Sequence, residues 1–146
     1  MIIREVEEKD LKGLLQQYTQ LHDNPMPEDG DKLSTLWQQI LKDQNHHILI
    51  GIEEDSVIAS CVVIIVPNLT HNQRPYALIE NVITEERLRN KGCGTQMLGA
   101  AKGIALQENC YKIMLMTGSK KESTLNFYEK AGYNRLDKTA FIQWLP

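Results

Sequence analysis

The chain has 146 residues, 42% hydrophobic and 24% charged, with 16 Lys and Arg against 19 Asp and Glu for a net charge of −3. That length holds one domain around one core, spanning 1–146, and that composition is globular, not disordered. The acidic balance argues against a nucleic-acid surface, which needs clustered Lys and Arg.

The longest aliphatic run, residues 62–66, is too short to span a bilayer. Glu5, Glu7 and Glu8 arrive too early for a secretory signal. Cys61, Cys93 and Cys110 form neither a CxxC pair nor a metal-ligand spacing, and His22, His46, His47 and His71 lack a zinc arrangement. The expectation is a cytoplasmic protein with reduced thiols, no metal and no membrane anchor.

In chain order, residues 2–6 read as a first strand. Residues 9–22 set Leu11, Leu14, Leu15, Tyr18 and Leu21 at helical spacing. Residues 23–31 are dense in Pro, Asp, Asn and Gly and form a loop, after which residues 33–41 resume helical spacing. Residues 47–53 and 57–66 are β-rich runs joined by the hairpin signal Glu54-Asp55-Ser56. A polar loop (67–75) leads to a strand over 76–84, then a helix over 88–106 that opens on a glycine pair and stops near Asn109. A strand over 111–117, a helix over 121–131 closed by Gly132, and a last strand over 139–145 complete the order β-α-α-β-β-β-α-β-α-β. Hairpins followed by a βαβ crossover specify an α+β fold with a mixed, mostly antiparallel sheet flanked by helices.

The stretch from Val82 to Thr95 joins an apolar strand to an apolar helix through Arg89-x-x-Gly92-x-Gly94-Thr95. Glycines let a ligand approach the backbone closely. The first turn of the next helix offers orphan N–H groups at the positive end of its dipole, a site suited to a pyrophosphate. Arg89 and Lys91 add positive charge. A Walker loop is excluded by the missing Gly-Lys-Ser/Thr, and a dinucleotide fingerprint by Met97 where a third glycine belongs. An ordinary strand-to-helix turn that uses glycine for geometry alone remains open at this point.

The second motif is Asn126-Phe127-Tyr128-Glu129-Lys130-Ala131-Gly132-Tyr133, with Gly132 placed to take a left-handed helix-ending position. The two motifs together resemble those of the GNAT superfamily of acetyl-CoA-dependent N-acetyltransferases: the first its pyrophosphate loop, the second its FYEKxGF-like C-terminal motif. The element order agrees throughout, so the resemblance covers essentially the whole chain.

The resemblance implies a GNAT fold in which the fourth and fifth strands splay around the cofactor. It implies acetyl-CoA as co-substrate, with the backbone of Val82, Ile83 and Thr84 facing it, the amides of Asn90, Lys91, Gly92, Cys93, Gly94 and Thr95 around its pyrophosphate, and the Arg89 charge beside them. It implies Tyr128 as the acid that protonates the departing thiolate, a task suited to a phenol. It also implies a primary-amine acceptor, small molecule or peptide, and is compatible with a homodimer.

Glu80 is the candidate base, on the reasoning that strand alternation puts it on the same side as Val82; an ion pair with Arg74 is the competing role. Glu86, Thr84 and Lys121 depart from the family's usual residues, leaving Ser119 and Asn126 as substitutes for the last. Cys93 between the glycines reads as a small filler, with a reactive thiol at a helix N-terminus as the rival. A non-catalytic acyl-CoA-binding module on the same fold is the alternative to an enzyme. The resemblance also implies that acceptor choice falls to residues 24–31 and 67–75; Asp23, Glu28, Asp29 and Asp31 at the first form either an acidic rim or an ordinary solvated loop.

Overall fold

A computed structural model describes residues 1–22 and 24–146. The chain runs β1 (Ile2–Glu5), α1 (Leu11–Tyr18), α2 (Asp31–Lys42), β2 (His46–Glu53), β3 (Ser56–Val66), β4 (Tyr76–Thr84), α3 (Cys93–Gln107), β5 (Ile113–Leu115) and α4 (Glu122–Lys130), with short 3-10 turns at Glu8–Asp10 and Glu86–Leu88. The five strands form one sheet in sequence order, antiparallel except for the parallel β4–β5 pair. The expected α+β class and mixed sheet are therefore present.

Local chemistry explains most boundaries. Arg4 makes two hydrogen bonds to the Asp10 carboxylate, at 2.6 and 3.0 Å, and that carboxylate also accepts the Glu7 N–H at 2.7 Å. The Arg4 guanidinium, with the Glu7 amide, holds the Asp10 carboxyl below its usual range. This tight entry turn is why α1 begins at Leu11 and not at the expected residue 9. Glu54 and Asp55 take positive φ (49° and 61°), the two-residue turn whose twist suits a hairpin.

Both later helices end in the same way. Asn109 (φ 57°) and Gly132 (φ 98°) are left-handed, and the N–H groups of Cys110 and Tyr133 reach back to the carbonyls of Ala105 and Tyr128 at 2.9 and 3.1 Å. Gly132 thus plays the part the sequence assigned to it.

Alternation on β2, β3 and β4 feeds two cores. On one face Cys61, Val63, Ala77 and Ile79 pack with Met97, Leu98 and Ala101 of α3, joined by Phe127 and Tyr128 of α4. On the other, Ile48, Ile50 and Val62 pack with Leu14 and Trp37 of α1 and α2.

Three expectations need correction. Residues 88–92 lie outside α3, because Asn90 (φ 62°) and Gly92 (φ 85°) cannot continue a right-handed helix. The fifth strand pairs only over Ile113–Leu115, not 111–117. Residues 139–145 form no ladder, and so are no strand of this sheet. Their residue types favour β-structure, yet a strand exists only where a partner lies alongside.

Candidate functional site

The site begins with a fault in the β3–β4 ladder. Ser60 pairs with Ile83 and Val62 with Glu80, so Cys61 alone faces both Asn81 and Val82. This is a β-bulge, and Asn81 at φ 50° is the residue that makes it. Asparagine tolerates left-handed backbone better than any β-branched neighbour in this strand would.

The bulge reverses which side chains share a face. Before it, Ala77 and Ile79 point to the α3 core; after it, Val82 does. Glu80 pairs directly with Val62, whose side chain lies in the α1–α2 core. Glu80 and Val82 therefore lie on opposite faces, contrary to the alternation expected from sequence, which cannot register one extra residue. Glu80 is exposed, and among the described residues it makes no ion pair. The expected partner, Arg74, instead donates to the carbonyls of Asn109 and Cys110 at 3.1 and 2.9 Å, bracing the end of α3.

Next to the bulge the sheet opens. The last β4–β5 pair is Ile79 with Leu115, while β4 continues to Thr84. From Glu80 onward β4 has β3 on one side and no strand on the other among the described residues. Glu85 donates to the Ile58 carbonyl at 2.8 Å, so alternation turns the Thr84 peptide toward the open side, where Arg89 Nε donates to its carbonyl at 3.2 Å. The expected splay is thus a property of the backbone.

Beyond Thr84, the 3-10 turn and left-handed Asn90 and Gly92 bring the chain round to α3, whose first turn has no side-chain cap. Among the described residues, no side chain accepts from the amides of this first turn. Lys91 and Arg89 are exposed beside it, Thr95 follows in the first turn, and Cys93 is buried, in the position of a filler. Glu86 N–H meets Gln20 Oε1 at 3.3 Å, tying the loop to the end of α1.

Gly94 is small for a reason the sequence did not disclose. A Cβ there would stand 2.9 Å from Phe127 Cζ. The two motifs, one strand apart in sequence, are in contact: the glycine on α3 makes room for the ring on α4.

Tyr128 follows on the same helix, its ring 4.9 Å from that of Phe127 and edge-on to that of Tyr133 at 6.4 Å. It packs on the α3 face near Cys61, the residue that opposes the bulge. Burial, with a smaller contribution from Cys61, raises its phenol above the ordinary tyrosine value. Of the residues weighed against Lys121, Ser119 is engaged at the start of α4, where its Oγ accepts the Lys121 N–H at 3.3 Å and donates to Thr124 Oγ1 at 3.2 Å. Asn126 is exposed.

Tyr18, read from sequence as a helix-face core residue, reaches the same bulge from the α1 side. Its hydroxyl is buried beside Ser60 and Asn81, and among the described residues neither Tyr18 Oη nor Ser60 Oγ has a partner in full hydrogen-bond geometry. Burial pushes this phenol up to about 12. A tyrosine at helical spacing carries no mark that separates this role from packing; the available signal was Asn81, a residue depleted in strands, inside a β-rich run.

Of the acidic rim, Glu28 and Asp29 are exposed and Asp31 opens α2; Asp23 lies outside the described residues. Two hollows elsewhere, one lined by Val6, Ile40 and His47 and one by Ile65, Pro67 and Pro75, share no residue with this group. No helix is long and apolar enough to cross a membrane among the described residues.

The sequence profile described as Acetyltransferase (GNAT) family matches residues 14–133. Glucosamine 6-phosphate N-acetyltransferase of Trypanosoma brucei brucei is 30% identical over 77 residues, 53% of this chain and 50% of that protein. The match thus spans about half the length of that relative. A provisionally named acetyltransferase from Agrobacterium tumefaciens str. C58 superposes with a TM-score of 0.92 at 33% identity, over 99% of this chain and 100% of that one. The glucosamine-6-phosphate N-acetyltransferase of Arabidopsis thaliana gives 0.84 at 23% identity, covering 99% and 97% of the two chains. Aminoglycoside N-acetyltransferase AAC(6')-Iy, in complex with CoA, gives 0.76 at 13%, covering 99% and 100%. At these last two identities the likeness is one of fold.

Proposed function

The chain belongs to the Acetyltransferase (GNAT) family, whose members use acetyl-CoA, and from that premise we propose that it transfers an acetyl group to a primary amine by direct attack, with both substrates held together. The observation that carries this reading is the opening between β4 and β5, flanked by Tyr128 on the α3 face and Glu80 on the other.

The residues fit the cofactor. The open side of β4 offers backbone polar groups to an extended amide-bearing arm, as an added strand would find them. The left-handed turn at Gly92 sets the uncapped first turn of α3 beside Lys91, a place for a pyrophosphate. When bound, acetyl-CoA supplies the acetyl group as a reactive thioester.

The chain's own residues do the rest. The backbone of Val82, Ile83 and Thr84 lines the arm, and the Val82 N–H donates to the carbonyl of the group being transferred, where negative charge develops. Amides from Asn90, Gly92, Cys93, Gly94 and Thr95 hold the phosphates. Arg89, braced on Thr84, keeps the loop in register with the strand. Tyr128 holds a proton at Oη, as a phenol does at neutral pH, for the leaving sulfur. Glu80 takes the proton from the amine, directly or through a water, from the opposite face.

Purified chain, acetyl-CoA and a panel of amines, followed by release of free CoA thiol, tests this reading. Glucosamine 6-phosphate leads the panel, on the strength of the relative matched over 77 residues. Polyamines and aminoglycosides follow, because the exposed acids Glu28 and Asp29 suit a cationic acceptor. Amine-dependent thiol release is expected. Tight acetyl-CoA binding with no release for any amine would replace the enzyme with the non-catalytic acyl-CoA-binding module.

A further inference from the structure

Buried polar side-chain atoms without a partner are rare in folded proteins, and in this one they are gathered in one place. Among the described residues four such atoms occur, and three of them, Gln17 Oε1, Tyr18 Oη and Ser60 Oγ, belong to the contact of α1 with β3. Ser60 is 0% exposed and Gln17 5%. A hydroxyl taken out of water without a full hydrogen bond costs stability. Packing calls for neither hydroxyl: phenylalanine fills the place of Tyr18 and alanine that of Ser60, and neither brings a polar atom to satisfy. Polar groups kept in a core against stability point to function.

What the two hydroxyls share is Asn81. The Tyr18 phenol lies beside both Ser60 and the Asn81 side chain. Ser60 pairs with Ile83, and Cys61 next to it faces Asn81 and Val82, so the hydroxyls stand against the bulge from the α1 side. Asn81 is the left-handed residue of β4, at φ 50°. The peptide that follows it bears the Val82 N–H, so the backbone of Asn81 sets where that N–H points.

α1 is fastened for this contact. Gln17 Nε2 donates to the Val57 carbonyl at 2.7 Å, and Asn24 Nδ2 donates to the carbonyl of Tyr18 itself at 2.9 Å, which keeps the phenol against the strand. The chemistry of the group is complementary. A phenol O–H can donate to the Asn81 side-chain carbonyl, and the Ser60 hydroxyl can both donate and accept. The contacts fall short of full geometry, as is common at sites whose hydrogen bonds tighten only around bound reactants. Burial keeps both hydroxyls out of reach of a substrate, so any effect on the reaction passes through Asn81.

We propose that Tyr18 and Ser60 are positioning residues for acetyl transfer, their hydroxyls closing on the Asn81 side chain to fix the Val82 N–H against the carbonyl of the transferred group. This role rests on the Val82 N–H donating to the thioester.

Tyr18→Phe and Ser60→Ala, alone and together, test it. Each should leave the thermal midpoint unchanged or higher, because a hydroxyl without a full partner is removed. The acetyl-CoA dissociation constant from calorimetry should also hold. With glucosamine 6-phosphate as acceptor, kcat should fall roughly 10–10²-fold, less than the about 10²–10³-fold for deleting an oxyanion donor outright. The double variant should be about as slow as the slower single one, since both hydroxyls act through one side chain. Infrared spectroscopy of bound acetyl-CoA needs no acceptor, so it decides whichever amine the chain takes. The thioester carbonyl stretch should lie below that of free acetyl-CoA in the wild-type chain, and closer to the free value in each variant. An equal shift in wild type and variants, wild-type kcat in both single variants, losses that multiply in the double variant, or a kcat loss matched by a fallen midpoint overturns the proposal. No shift in the wild-type chain overturns the role of Val82, and this proposal with it.

Discussion

Tyr128 shows what a residue's surroundings add to its identity. The motif places a phenol on α4; the fold half-buries it against Phe127, Tyr133 and the Cys61 strand and so raises its pKa. The sign is simple: a raised pKa keeps the neutral, proton-donating form present to higher pH. The alkaline limb of turnover should therefore lie above the pH at which a free tyrosine ionises. Tyr128→Phe keeps the ring and deletes the proton, so turnover should fall roughly 10²–10⁴-fold with acetyl-CoA affinity little changed. A folded variant with wild-type turnover would remove Tyr128 from the mechanism. Gly94 gives a second residue-scale test. Its Cβ in Gly94→Ala meets Phe127 Cζ at 2.9 Å, an overpacking expected to cost about 1–3 kcal/mol. Phe127→Leu in the same chain should restore part of that loss, read as non-additivity in a double-mutant cycle. Strict additivity would mean that glycine and ring do not constrain one another.

At the scale of the element, the decisive feature is the bulge in β4. One extra residue at Asn81 sends Glu80 to the α1 side and Val82 to the α3 side, and the strand then parts from β5 beyond Ile79. The proposed acid, Tyr128, and the proposed base, Glu80, thereby belong to opposite faces of the sheet. Asn81→Val forces a β-branched side chain into left-handed backbone, which should cost about 1–3 kcal/mol or slide the strand out of register. Asn81→Gly accepts the same backbone and should stay within a few tenths of that stability. Urea unfolding of the two variants, beside their turnover, separates the outcomes. Equal stability of the Val and Gly variants would mean that the bulge does not depend on the conformation of residue 81.

For the whole molecule, a ligand held by β4, the glycine loop and α4 bridges parts that are distant in sequence, and so binds the native state alone. Acetyl-CoA at 100 times its dissociation constant should add about 2.7 kcal/mol, a rise of roughly 5–10 °C in the thermal midpoint of a chain this size. An unchanged midpoint at millimolar acetyl-CoA would remove both the enzyme and the acyl-CoA-binding module.

The element order was legible through Trp37, Ile79 and Gly132 because periodicity and helix-ending chemistry are local, and each is written within a few residues. The two motifs likewise carry the family's signature within short stretches of chain. What sequence alone could not place was whatever depends on the neighbouring strand. The face of Glu80 follows from a register fault that alternation does not encode. The contact of Gly94 with Phe127, and the meeting of Tyr18 with Asn81, join residues separated by whole elements. Residues 139–145 have the composition of a strand and lack one alongside, because pairing belongs to the partner as much as to the segment. The sequence thus determined most of the elements and the two motifs, and the tertiary structure decided which segments pair and which side chains face one another, since register and packing are set only when the strands assemble.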